Sequence, residues 1–126
     1  MDIAPAATCN IVVVDDEPEL LDLLRDILED EGHEVVAVSD PGDVKAMQFD
    51  GGPDLFLLDL MLPGMDGIEL ASQLRLAGFD RTPIIAMSAS AAMLTAARNS
   101  HLFQETLAKP FDLSTLLAFV ERYSVA

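Results

Sequence analysis

The chain has 126 residues, and 51% of them are hydrophobic, which is enough for one folded domain with its own core. Its formal net charge of −15 argues against direct contact with nucleic acid or an anionic membrane surface, because both would repel it. The single cysteine, Cys9, excludes an internal disulfide, and no apolar run has the length of a membrane span. Residues 1–8 lack the basic and apolar segments of a signal peptide, so we expect a soluble cytoplasmic domain.

Five short apolar segments alternate with helical patterns along the chain. Several segments are apolar almost throughout, which is typical of strands that are covered on both faces in a parallel sheet. The predicted strands are IVVV (11–14), EVVAV (34–38), DLFLLD (54–59), PIIAMS (83–88) and ETLAK (105–109). The predicted helices cover 18–31, 41–49, 66–77, 91–100 and 113–123, with Asp40, Asp66 and Asp112 as N-caps. This order predicts a doubly wound α/β domain, preceded by a lead-in of residues 1–9.

Polar side chains follow four of the five predicted strands. Asp15 and Asp16 follow the first strand, and Asp59 ends the third. Ser88 ends the fourth strand, and Lys109 ends the fifth. In open parallel sheets, ligand sites form beyond the carboxyl ends of the strands, where the strand order reverses. We therefore expect these residues to converge if the first, third, fourth and fifth strands are neighbours.

Each of these residues has a simpler explanation when it is taken alone. An aspartate after a strand is commonly a turn residue or a helix cap, and a serine there often bonds the local backbone. A single lysine before a proline is usually a solvated charge. The combination in this order is much more specific, and it indicates a functional site.

The combination resembles the receiver domain of the response regulators of two-component signalling. The resemblance rests on the motifs VVVDDEPE, LFLLDLMLPGMDG, PIIAMSAS and LAKPFD, and it covers residues 10–123. It implies a flavodoxin-like (βα)5 fold with a doubly wound, five-stranded parallel sheet in the order 2-1-3-4-5. Residues 124–126 are then a C-terminal tail.

The resemblance also implies a phosphorylation site. Asp59 is then the nucleophile that accepts a phosphoryl group, which gives an acyl phosphate. Lys109 offsets charge on the transferring group, and the Ser88 hydroxyl donates to a phosphoryl oxygen. A cis peptide before Pro110, which the family has, would aim Lys109 inward.

A metal site follows from the same resemblance. Asp15, Asp16 and Asp59 make a hard oxygen site suited to Mg²⁺ or Mn²⁺, and the cation relieves the repulsion between them. Asp16 and Asp59 are implied as direct ligands together with the backbone carbonyl of Met61. Asp15 is implied to act largely through water.

Such a domain is not a conventional turnover enzyme, although it assists its own phosphorylation and dephosphorylation. The implied phosphoryl donor is a sensor histidine kinase or a histidine phosphotransfer protein. The implied recipient of the signal is a downstream protein target or a fused output domain. We expect a monomer, or a weak dimer linked to phosphorylation.

One departure from the family pattern concerns signal readout. Receivers usually carry a tyrosine or phenylalanine three positions before the lysine, and here that position is Thr106. The small residues just upstream are replaced by Leu102 and Phe103. Thr106 is too short and too stiff to act as a switching ring. We therefore expect output to depend more on the loop 88–92 and on the fourth helix.

Two other functions remain open from the sequence. A haloacid-dehalogenase-type phosphatase also uses an aspartate after a strand, but it needs a second aspartate two residues on. Here that position is Met61, which cannot transfer a proton. The second alternative is an unphosphorylated receiver-like interaction module, although such domains tend to lose part of the acidic site. A P-loop hydrolase is excluded, because the chain has no glycine-rich G-K-[ST] loop.

Overall fold

A computed structural model describes residues 8–46 and 52–124, which form seven strands and five helices. The strands are β1 (Asn10–Val14), β2 (Glu34–Val38), β3 (Leu55–Asp59), β4 (Met61–Leu62), β5 (Met65–Asp66), β6 (Ile84–Ser88) and β7 (Glu105–Ala108). The helices are α1 (Pro18–Asp30), α2 (Pro41–Ala46), α3 (Gly67–Leu76), α4 (Ala91–Ser100) and α5 (Leu113–Tyr123). Within the described ranges, no helix has the length and apolar character that crossing a membrane requires.

Five of these strands form one parallel sheet in the order β2-β1-β3-β6-β7. Counted along the five predicted strands this is 2-1-3-4-5, so the predicted flavodoxin-like fold is confirmed. The predicted and observed ends of every strand agree to within one residue. The agreement is close because apolar segments rich in β-branched residues strongly favour buried parallel strands.

Side chains along β1 alternate between two core layers, one on each face of the sheet. Ile11 and Val13 pack in the layer that α1 and α5 cover. Val12 and Val14 pack in the layer that α3 covers. All five residues of β3 are buried as well. Because both faces of the central strands are covered, charged side chains can reach water only where these strands end.

The helices begin largely where the sequence predicts. The carboxylate of Asp66 accepts from the backbone N–H of Glu69 at 2.7 Å, which caps α3 as predicted. Asp112 occupies the N-cap position of α5, but its side chain makes no capping hydrogen bond. Helix α2 is observed to Ala46, and the rest of the predicted helix, 47–49, lies outside the described residues.

A small antiparallel hairpin, β4–β5, follows β3 and is absent from the sequence prediction. Each of its strands has two residues, which is too short for any hydrophobic period to appear. The turn between them contains Gly64 with a φ of +75°, a value that favours glycine. The hairpin places Met61 beside the carboxyl end of β3.

Candidate functional site

The carboxyl edge of the sheet brings together the predicted site residues. Neighbouring strands β1, β3, β6 and β7 lead to Asp15, Asp59, Ser88 and Lys109 in that order. Asp15, Asp59 and Ser88 are buried. The backbone N–H of Lys109 donates to the Ser88 carbonyl at 2.8 Å, which extends the pairing of β6 and β7 to the edge. The predicted convergence is therefore observed for these four residues.

The ammonium of Lys109 lies at the centre of three carboxylates. It donates to Asp15 Oδ2 at 2.7 Å, to Asp59 Oδ2 at 3.1 Å and to Glu17 Oε1 at 3.2 Å. Oxygens from the three carboxylates lie within 4.8 Å of one another. One ammonium cannot neutralise three carboxylates at this separation, so the cluster keeps an excess of negative charge. This excess is suited to a further cation.

Burial and ion pairing act in opposite directions on the charged groups of the cluster. Burial raises the pKa of Asp15 above its ordinary value, although hydrogen bonds from Lys109 and from the Glu17 backbone oppose the change. Burial alone would lower the pKa of Lys109, but Asp15 and Asp59 together raise it well above its ordinary value. The lysine is therefore firmly cationic, while the net effect on Asp15 disfavours its charged form.

Asp59 is fixed by its own loop. Its Oδ1 accepts from the backbone N–H of Met61 at 3.0 Å, while its Oδ2 faces Lys109. Gly67, at the start of α3, packs directly on the backbone of Asp59 and Leu60. A Cβ at Gly67 would collide with the Asp59 carbonyl oxygen and lie 2.7 Å from Leu60 Cα. Glycine at this position therefore allows α3 to close against the strand that carries Asp59.

Asp16 lines an open cavity and is not among the carboxylate partners of Lys109. This cavity has a volume of about 490 Å³. It is lined by Asp16, Leu60, Met61, Leu62, Pro63, Asp66 and Met93. Asp16 and Met61, two of the predicted ligands, therefore line the same cavity, and neither belongs to the carboxylate cluster around Lys109.

Ser88 connects the site to α4 through a local hydrogen bond. Its hydroxyl oxygen accepts from the backbone N–H of Ser90 at 3.0 Å. The hydroxyl of Ser90 in turn accepts from the N–H of Met93 at 3.2 Å and caps α4. The hydrogen of the Ser88 hydroxyl stays available for a further acceptor. The peptide bond between Lys109 and Pro110 is cis, as predicted.

Glu17 is the member of the site that the sequence prediction omits. Its side chain reaches Lys109, whereas Asp16, which the prediction includes, does not. The alternation of an extended chain could have indicated this, because residues two apart share a side and Asp15 and Glu17 are two apart. The backbone N–H of Glu17 also donates to Asp15 Oδ1 at 2.9 Å, which holds the turn in this form.

The side chain of Thr106 forms a hydrogen bond with helix α4. Its hydroxyl oxygen accepts from the guanidinium of Arg98, on α4, at 2.9 Å. The nearest ring in sequence, Phe103, is partly buried against a small cluster formed by Leu60, Ala86, Leu94 and Ala97. The bond from Arg98 to Thr106 therefore links α4 with β7 at the position where the family usually carries an aromatic side chain.

Comparisons with known proteins point to one family. The model of the response regulator receiver domain matches residues 11–121. The chain is 31% identical to response regulator TrrA from Thermotoga maritima, solved in complex with Mg²⁺ and BeF. That match has a TM-score of 0.79 and covers 90% of this chain and 97% of TrrA.

Two further structures extend the comparison. The non-phosphorylated HemR receiver domain from Leptospira biflexa is 26% identical with a TM-score of 0.82, over 93% of this chain and 94% of that one. NtrX from Brucella abortus is 30% identical with a TM-score of 0.82, over 93% of this chain. The match covers 27% of the NtrX chain, so the same fold there forms part of a longer protein.

Proposed function

Since the chain belongs to the response regulator receiver domain family, we propose that it accepts a phosphoryl group on Asp59. The choice of Asp59 as the acceptor rests on one observation. The Asp59 carboxylate ends the central strand β3 and contacts the ammonium of Lys109 at 3.1 Å, and the two residues that follow it, Leu60 and Met61, line an open cavity. Asp15 is also buried beside Lys109, but its side chain is 0% exposed against 6% for Asp59, and the cavity-lining residues Leu60 and Met61 directly follow Asp59.

The proposed transfer is a displacement at phosphorus. A carboxylate oxygen of Asp59 forms the new O–P bond, and the P–N bond to a phosphohistidine of the donor protein breaks. The bonding electron pair stays on the departing imidazole nitrogen, and the product on this chain is an acyl phosphate. A sensor histidine kinase or a histidine phosphotransfer protein is the donor class that fits this chemistry.

Lys109 and Ser88 supply hydrogen bonds to the transferred group. The ammonium of Lys109 already lies against Asp59, so it can offset charge on the phosphoryl oxygens without moving far. The Ser88 hydroxyl donates to a phosphoryl oxygen while its own oxygen still accepts from Ser90. Both residues favour the state in which Asp59 is modified.

The residues beside Asp59 fit a hard divalent cation. The carboxylates of Asp15, Asp16 and Asp59 and the backbone carbonyl of Met61 would hold Mg²⁺, with Mn²⁺ as an alternative. The cluster carries more carboxylates than ammonium groups, so it has an excess of negative charge that such an ion would neutralise. When bound, the cation supplies charge neutralisation for the transferring phosphoryl oxygens.

We propose that the signal leaves the site through α4. A shift of the Ser88 hydroxyl towards the phosphoryl group is passed to Ser90, whose side chain caps this helix. Arg98 at the other end of α4 then carries the change to Thr106. The recipient is a downstream protein or a fused output domain, and a weak phosphorylation-linked dimer is compatible with this route.

Phosphoryl uptake from acetyl phosphate tests the proposal. With Mg²⁺ present, intact mass should show one added phosphoryl group, and Asp59→Asn should show none. Asp54→Asn is the matched control, because Asp54 is exposed and lies at the other end of β3. Modification of Asp59→Asn at the wild-type rate would assign the acceptor to another residue.

The metal site is tested by titration with Mg²⁺ and Mn²⁺. Binding should be weak, in the sub-millimolar to millimolar range, roughly as expected for an open site that keeps its waters. Asp16→Ala should weaken binding much more than Glu19→Ala, which removes an exposed carboxylate from the first turn of α1. Equal effects of the two substitutions would mean that the site is not localised.

A further inference from the structure

Lys109 has no unused hydrogen-bond donor. An ammonium carries three N–H groups, and Lys109 has three carboxylate partners, at 2.7, 3.1 and 3.2 Å. The partners differ in burial: the side chain of Asp15 is 0% exposed, that of Asp59 is 6% exposed and that of Glu17 is 63% exposed. A phosphoryl group on Asp59 therefore competes with an existing partner for a donor of Lys109.

Glu17 is the partner that can leave at least cost. Asp15 is buried, so its carboxylate would lose its cation without gaining water. Asp59 itself carries the phosphoryl group and cannot move away. Glu17 is largely solvated already, and its carboxylate can exchange the lysine for water with little loss. Its contact with Lys109 is also the longest of the three.

We propose that Glu17 is a positioning residue that occupies the Lys109 donor required by the phosphoryl group and thereby restrains phosphorylation of Asp59. This inference rests on the proposed function, because it concerns the same transfer. Glu17 acts through Lys109 and does not itself take part in bond formation. Its charge adds to the repulsion that an incoming phosphate donor meets, so both effects slow uptake.

The test compares three single variants in phosphoryl uptake from acetyl phosphate at saturating Mg²⁺. In this reaction the O–P bond to Asp59 forms, the P–O bond to acetate breaks, and acetate leaves with the electron pair. Glu17→Gln removes the charge, whereas Glu17→Asp keeps it on a side chain one methylene shorter. Glu19→Gln is the matched control, because Glu19 is an exposed residue of the same segment that makes no ion pair within the described chain.

Both Glu17 variants should raise the limiting rate about three- to fivefold, as expected for releasing one largely solvated charged contact. Glu19→Gln should stay within about twofold of the wild type. The concentration of acetyl phosphate at half-maximal rate should change less than the limiting rate, because the freed lysine donor acts mainly during transfer. A merely structural role of Glu17 would not divide the two parameters in this way.

A second measurement reports the contact without phosphorylation. The sequence has two lysines, Lys45 and Lys109, so a chain labelled with 15N at lysine Nζ gives two ammonium signals. In Mg²⁺-free buffer, Glu17→Gln should shift the signal that Lys109→Arg removes, and Glu19→Gln should leave it in place. An unshifted Lys109 signal in Glu17→Gln would overturn the inference at its structural premise.

The kinetic outcomes separate the possible failures. Equal rates for Glu17→Gln and Glu19→Gln would overturn the role of Glu17 and leave phosphorylation of Asp59 intact. A faster Glu17→Gln with Glu17→Asp at the wild-type rate would assign the effect to charge alone and overturn the inference that occupation of the lysine donor restrains phosphorylation. A slower Glu17→Gln would make Glu17 an assisting group and overturn the inference. Absence of uptake by the wild type would overturn the proposed function, and the inference with it.

Discussion

The two edges of the sheet each have a cation surrounded by oxygen atoms, but the oxygens differ in charge. At the carboxyl edge, Lys109 faces three carboxylates. At the amino edge, Arg75 from α3 faces neutral acceptors from two loops. It donates to the backbone carbonyls of Phe79, Thr82 and Leu102 at 2.7, 2.6 and 2.6 Å, and to Gln104 Oε1 at 3.1 Å.

This difference separates a cation with neutral partners from the cation of the proposed phosphorylation site. The guanidinium of Arg75 donates to backbone carbonyls of both loops, and it thereby joins the loops before β6 and β7. Burial lowers the pKa of Arg75 while nearby Asp80 opposes the change. The pKa of Lys109 moves in the other direction, because its neighbours are carboxylates. The oxygens around Arg75 at the amino edge are neutral and require no further cation. The carboxyl edge still has excess negative charge that a metal ion can balance.

Lys109→Ala should produce the largest effect. Phosphoryl uptake by Asp59 should fall about 100-fold or more, as expected for losing one preorganised donor to the transferring group. Stability in EDTA should fall by about 3 kcal/mol, because buried Asp15 loses its cation. Urea unfolding should show that Mg²⁺ recovers part of this loss by binding the carboxylates. Uptake within about threefold of the wild type would remove Lys109 from the proposed mechanism.

Arg75→Ala should lower the stability of the fold without changing phosphoryl uptake. Unfolding in urea should show a loss of about 1–3 kcal/mol, because several carbonyls lose their donor. The loss should be the same in EDTA and in Mg²⁺, and the rate of phosphoryl uptake should be unchanged. Arg81→Ala, at an exposed arginine of the loop between α3 and β6, should cost less than about 0.5 kcal/mol. A metal-dependent loss in Arg75→Ala would contradict the division between the two edges.

The pH dependence of stability should also come from the carboxyl edge. The raised pKa of Asp15 means that the folded state binds this proton more tightly than the unfolded state. The resulting stability is complete below the ordinary pKa of 3.8 and is lost as pH rises through the raised value. The raised pKa of Lys109 adds no slope here, because that group is protonated in both states below neutral pH.

In EDTA, urea unfolding should therefore give a wild-type stability that decreases as the pH rises from 3.8 through the raised pKa of Asp15. Asp15→Asn removes the titrating group and should flatten this slope, while Glu19→Gln should keep it. A slope in Asp15→Asn equal to that of the wild type would show that Asp15 does not titrate in this window. Comparison of the variants is needed because the overall charge of −15 also favours acidic conditions.

The fold and most of the site could be predicted because they follow from strong local patterns. The central strands are apolar throughout, so the first charged residues after them mark the edge of the sheet. The hairpin β4–β5 and the role of Glu17 could not be predicted in the same way. Each strand of the hairpin has two residues, which is too few to show a hydrophobic period. The contact of Glu17 with Lys109 depends on the exact turn after β1. The hydrogen bonds of Arg75 join loops that are distant in sequence, which no local pattern indicates.

The smallest predicted effect concerns the route of the signal. Thr106 accepts a hydrogen bond from Arg98. Among the described residues, this is the one hydrogen bond between side chains of α4 and β7. Thr106→Val keeps the shape of the side chain and removes the acceptor. Amide hydrogen exchange in the C-terminal half of α4 should become about two- to fivefold faster, as expected for losing one partly exposed hydrogen bond. Thr95→Val, at an exposed position of the same helix, is the matched control and should change exchange only locally.

The same experiment with beryllofluoride decides whether this link carries the signal. In the wild type, exchange and amide shifts should change mainly in the loop 88–92 and along α4, because Ser88 and Ser90 connect the site to that helix. In Thr106→Val the changes should still reach α4 but should no longer extend to β7, since the contact from Arg98 is gone. Phosphoryl uptake should be unaffected, because Thr106 lies outside the carboxylate cluster. A large concerted change centred on Thr106 and α5, present equally in both chains, would show that the signal passes by a route that does not need this hydrogen bond.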